Sequence, residues 1–148
     1  MAYQAKRSKK LKEDFELVDE SGNIVHSLEV SLDADDMVIA INRKYTTLTK
    51  ALAETTELQR KAKNREDLTG SMEILGRAMV DLIEAVFGER NSKILLEFYE
   101  GKYLEMSREV LPFISNVVMP RLLEIRKENR QETLKRYNRK QRRAMFKR

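Results

Sequence analysis

The chain has 148 residues, 41% of them hydrophobic, and no cysteine. That length suits one domain with tails around a modest core, and the missing thiol excludes a disulfide framework and nucleophilic cysteine chemistry. The net charge of +5 hides a partition: residues 1–12 carry five Lys/Arg and no acid, 121–148 carry twelve Lys/Arg against three Glu, and 13–120 hold 12 basic and 21 acidic residues. An acidic body of net −9 (12 minus 21) thus lies between two basic ends. Such a partition suits a polyanion ligand or acid–base contacts between copies. No apolar run approaches the roughly 20 residues that span a bilayer, and no apolar stretch follows the basic N-terminus, so the expectation is a soluble cytoplasmic protein with no secretory signal and no membrane partner.

Residues 1–12 are polar, basic and aperiodic, and read as a disordered N-terminus. "FELVDESGNIVHSLEVSL" then alternates, with Phe15 and Leu17 on one face and Ile24, His26, Leu28, Val30 and Leu32 sharing another. Gly22 and Asn23 can supply positive φ in a turn. The reading is a β-hairpin with strands near 14–18 and 24–31.

Asp33 is placed to cap a helix whose first turn is acidic. Met37, Ile41, Tyr45, Leu48, Leu52 and Leu58 recur at helical spacing and predict a helix from 34 to about 64, roughly 45 Å long. The threonine pairs 46–47 and 55–56 sit largely off that stripe. A second helix follows, with Leu68, Met72, Leu75, Met79, Leu82, Ile83 and Val86 as a broad apolar face. Gly70 and Gly76 either weaken it or permit close packing, and Gly88 is placed as its C-cap.

Asn91 or Ser92 can cap a short helix over 92–99, and Gly101 marks a turn. "LEMSREVLPFISNVVM" predicts another helix, in which Pro112 requires a first turn or a kink, and Pro120 restarts or bends the chain. From Arg121 a polar helix runs to about 141, with Leu122, Ile125, Leu134 and Tyr137 as sparse apolar positions. The expected fold class is mainly α (α+β): a short N-terminal β-hairpin, a bundle of four to five helices and a basic C-terminal helix. The expected organisation is a basic N-terminus over 1–12, a hairpin plus helical domain over 13–120, and a basic helix and tail over 121–148.

Catalytic chemistry finds little purchase. His26 is the one histidine, and alone on a strand it reads as a packed or surface residue. "GSMEILGRA" fails as a phosphate loop, because five residues separate its glycines and Arg77–Ala78 stand where Lys–Ser/Thr is needed. A calcium loop starting at Asp33 would need Gly and Glu where Val38 and Lys44 stand, so "DADDM" reads as helix N-terminal acid. The expectation is no enzyme, no cofactor and no metal site.

Two segments remain. "EFYEGKYLEM" and the helix after it offer Phe98, Tyr99, Tyr103, Met106, Phe113 and Met119 as a candidate partner-binding surface; the simpler reading is core packing of two helices around Gly101. "RYNRKQRRAMFKR" supplies Arg136, Arg139, Lys140, Arg142 and Arg143 as a basic tail. It lacks a recognisable nucleic-acid-reading element, so a solvated or protein-contacting basic helix ranks ahead of a nucleic-acid handle.

The assembled pattern resembles a family. A hairpin, a long helix opening "DADDM", and above all "LLEFYEGKYLEMSREVLPFISNVVMP" (Leu95 to Pro120) are similar to the tail assembly chaperones of long-tailed phages and prophages of Gram-positive bacteria. The resemblance covers about residues 13–130. It implies a small helical protein that binds the tape measure protein, recruits tail tube subunits during tail morphogenesis, and is absent from the finished virion. It also implies action in the cytoplasm of the bacterial host, self-association, and often a longer frameshifted form continuing past the basic end. The alternative function is a nucleic-acid-binding accessory protein that uses the basic C-terminal segment.

Overall fold

The computed structural model describes the backbone of residues 2–61 and 65–146 and the side chains of 2–61 and 69–138. Two antiparallel strands, β1 (Leu11–Val18) and β2 (Ile24–Leu32), form the expected hairpin. Asp19 closes its turn, its carboxylate accepting from the backbone N–H groups of Ser21 and Asn23, each at 2.9 Å. Gly22 alone takes the positive φ, at 85°; Asn23 does not. β1 begins three residues earlier than the alternation suggested, because Leu11 pairs with Leu32 and both are buried. Leu17, Leu28 and Val30 complete the inner face, with Phe15 half-buried beside them. A bulge between Leu17 and Val18 ends that register, and Ile24, Val25 and His26 are exposed towards the tip.

Among the described residues three helical runs follow, where four to five helices were expected. The first is α1 (Ala34–Lys61), capped as anticipated by Asp33, whose Oδ1 accepts from the Asp35 N–H at 3.1 Å. Val38, Ile41, Leu48 and Ala51 carry its core face, while Leu58 stays exposed. Thr55 corrects the sequence reading: it is buried, bonding back to the Ala51 carbonyl and across to Ser71 Oγ at 2.7 Å. That hydroxyl pair ties the end of α1 to the next helix.

The second run is α2 (Arg65–Phe98), broken at Gly88. Its φ of 83° and ψ of 167° lie in a region essentially confined to glycine, so the regular helix breaks at Gly88, where the sequence placed a C-cap, and resumes beyond the kink. Ser92 donates to the freed Gly88 carbonyl at 2.6 Å, and Asn91 donates to the Glu29 carbonyl of β2 at 3.1 Å, fixing the bent part against the hairpin. α2 ends in a Schellman arrangement, with Gly101 N–H on Leu96 O and Glu100 N–H on Glu97 O. Glu100 and Gly101 both adopt positive φ there.

The third run comprises α3 (Tyr103–Phe113), a π-helical turn (Ile114–Val118) and α4 (Met119–Phe146), without interruption. The prolines therefore do not divide this segment as expected. Met106, Val110, Ile114, Val118 and Leu122 are all buried, at a constant interval of four residues. A regular α-helix turns about 40° too far at each such step, or about 160° from Met106 to Leu122. The wider π turn, with Met119 N–H reaching five residues back to Ile114 O, adds one residue to a turn and so takes up about 100° of that excess. It also loosens the backbone just before Pro120, where the ring would clash with the carbonyl four residues earlier.

The core lies between the hairpin's inner face, α1, α2 and the third run. Phe15, Phe87 and Phe113 meet at its edge, Phe87 buried and the other two half-buried, with ring centroids 4.7–6.0 Å apart. These rings join one residue from each of β1, α2 and α3.

Candidate functional site

An open groove of about 540 Å3 runs along α2. Thr69, Met72, Glu73, Gly76, Val80 and Asp81 line it at helical intervals, with Arg77 beside them, and Tyr103 closes its side. That ladder covers three turns of one helix face, about 17 Å. Gly76 makes the dip. A Cβ there would stand 2.8 Å from Tyr103 Cε2, so the ring lies directly against the α2 backbone. Met72 and Val80 are half-buried and provide the apolar floor; Glu73, Arg77 and Asp81 are exposed and form a charged rim. An apolar floor inside a charged rim, three turns long, is the form that accepts one face of an amphipathic helix. Among the described residues no cluster of three or more His, Asp and Glu could hold a metal ion. No helix among them is long and apolar enough to cross a membrane.

The structure divides the aromatic and methionine residues singled out in the sequence. Tyr103 belongs to the groove. Met106 does not qualify as a contact residue: it is fully buried, the first member of the four-residue stripe. Phe113 sits in the phenylalanine triad and Met119 packs half-buried against the core, so both serve folding. Phe98 and Tyr99 pack edge-on to each other, 5.0 Å between centroids, at the end of α2. Burial of the Tyr99 phenol raises its pKa above the usual tyrosine value, and the carboxylates of Glu109 and Glu105 raise it further.

No protein-family model, curated protein or solved structure matches this chain.

A second concavity, of about 410 Å3, joins the two basic ends. Lys6, Arg7, Ser8 and Lys9 of the N-terminal segment form one wall. Asn129, Glu132, Thr133 and Arg136 of α4 form the other, with Asp35 of α1 at its base. α4 is positioned there because its core face, ending at Ile125, continues as a polar face: Asn129 Nδ2 donates to Asp35 Oδ2 at 3.4 Å. No residue from Arg126 to Asn138 is buried. Arg136 pairs with Glu132 one turn back, at 3.3 Å. The side chains of Arg139, Lys140, Arg142 and Arg143 lie outside the described residues.

Sequence reasoning missed Val80 as a surface residue; Met72 was read chiefly as part of the apolar face of its helix, and the basic N-terminus was weighed only for its charge, without Lys6, Arg7 and Lys9 being placed beside α4. The ladder Thr69–Met72–Gly76–Val80 was readable, but it falls beside the stronger stripe of Leu75, Met79, Leu82 and Val86 that builds the core.

Proposed function

We propose that this protein is a tail assembly chaperone that holds a helical segment of a tape measure protein in the α2 groove and recruits tail tube subunits to it. One observation carries the reading: among the described residues the groove is an open channel three helical turns long, with an apolar floor and a charged rim. A tape measure protein is long and helical with repeated apolar surface, which would aggregate if left exposed. Met72 suits such a client because its unbranched thioether adapts to successive, non-identical helix faces. The resemblance centred on Leu95–Pro120 supplies the family context, and Tyr103 within it is the residue that shapes the groove. On this reading the protein acts in the host cytoplasm before the tail is complete and leaves before the virion is finished. Self-association belongs to the same reading, with exposed Leu123 and Leu134 on α4 available for it.

Co-expression with a tape-measure fragment, followed by size-exclusion chromatography, tests the proposal. A co-eluting complex is expected. Met72→Asp and Val80→Asp, each folded by circular dichroism, should weaken it at least about tenfold, or about 1.4 kcal/mol. A complex indifferent to both substitutions, or no complex at all, overturns the assignment.

A further inference from the structure

We propose that the two basic ends form one composite site for the phosphate backbone of nucleic acid, spanning the N-terminal segment and α4. Neither end alone defines it. Lys6, Arg7 and Lys9 are more than a hundred residues from Arg136 in sequence, yet all four line one cleft. Only Asp35 and Glu132 oppose them within it, so four cations face two carboxylates. Bringing like-charged segments together is unfavourable, and the excess positive potential is relieved by a bound polyanion.

The composition of the cleft selects the ligand class. All nine lining side chains are polar or charged, and the uncharged ones are Ser8, Asn129 and Thr133, each a hydrogen-bond donor. Lys, Arg, Ser, Thr and Asn are the side chains that position phosphate oxygens. A protein partner would need apolar anchors at the centre, and this cleft has none. From Asn129 to Arg136 the helix extends about 10 Å, the length of about three nucleotides at about 3.4 Å per strand charge. Among the described residues no base-edge-reading element lines the cleft, so the inferred binding is independent of base sequence.

The test is fluorescence anisotropy of a labelled oligonucleotide, single-stranded and duplex, titrated with the full chain. With four phosphates neutralised, raising salt from about 50 to about 200 mM should weaken binding about 50-fold for the single strand and about 150-fold for the duplex. Arg136→Ala should lower the logarithmic salt slope by about one, and a Lys6→Ala/Arg7→Ala/Lys9→Ala variant by two to three, roughly. Both sets of residues are exposed, so the fold is retained. If the triple variant binds with wild-type affinity and slope, the site is not composite and the proposal fails. Absence of binding at about 50 mM salt also overturns it. Salt-sensitive self-association reversed by Glu29→Lys would then assign the basic ends to the acidic hairpin of a second copy. The groove variants should leave oligonucleotide binding unchanged, which keeps this site separable from the chaperone reading.

Discussion

At position 76 a methyl group would come within 2.8 Å of Tyr103 Cε2 and 3.0 Å of Cζ, so that ring dictates the residue. Gly76→Ala should destabilise the protein by about 1 kcal/mol: overpacking costs roughly 1–3 kcal/mol, and improved helix propensity returns about 1. In a Tyr103→Ala background the clash is gone and the sign should reverse, with Gly76→Ala stabilising by about 0.5–1 kcal/mol in urea denaturation. Equal effects in both backgrounds would remove Tyr103 as the cause. The sequence already showed that Gly76 either weakens its helix or admits a close neighbour. It could not say which, because the neighbour lies on α3, beyond the turn at Glu100 and Gly101. Met106 failed in the opposite direction. Its residue type suggested an adaptable surface, but its position in the buried stripe is what decides its role.

At the scale of elements, the π turn is the informative feature. Had α3 continued as a regular α-helix, position 117 would fall three turns after Met106 and share its buried face. Instead Val118 is fully buried and Val117 is 38% exposed. Val118→Ala should therefore cost about 2 kcal/mol, from lost burial plus a residual cavity, while Val117→Ala should stay within about 0.5 kcal/mol. Chemical denaturation of the two variants checks this, and the reverse ranking would mean a regular helix. The interval-four stripe was present in the sequence, but Pro112 pointed to a first turn or a kink and Pro120 to a restart or bend. Proline reports a missing N–H and a steric demand; a helix can answer that demand by widening as well as by stopping. The hairpin was more legible, since period-two alternation and a Gly-containing turn are local signals. Its outer face carries a cost the alternation did not reveal: Asp14 lies directly opposite Glu29, a like-charge pair.

On the whole-molecule scale the charge partition becomes geometry. Basic residues from both ends converge beside Asp35, while β1, β2 and their turn hold six acids and no Lys or Arg after Lys12. The body's stability should not depend on the far part of α4, because Ile125 is its last buried residue among those described. A chain ending at Arg130 loses eight Lys/Arg and one Glu, changing the net charge from +5 to −2. Its thermal unfolding should stay cooperative, with a midpoint within about 4 °C of the full chain, since less than about 1 kcal/mol is at stake. A much larger drop in the calorimetric midpoint would place the tail within the core.

The sequence by itself determined the elements whose signals are local: the hairpin, the Asp33 cap, the amphipathic faces of α1 and α2, and the positive-φ breaks at Gly88 and Gly101. It also determined the charge of each segment. Tertiary structure decided what those segments meet. The number of helical runs depended on packing that drew α3 and α4 into one continuous rod. The groove exists because Tyr103 lies across Gly76, and the basic cleft because α4 passes beside the N-terminal segment. Those are contacts between residues 27 and about 120 or more positions apart, and no local period or propensity encodes them.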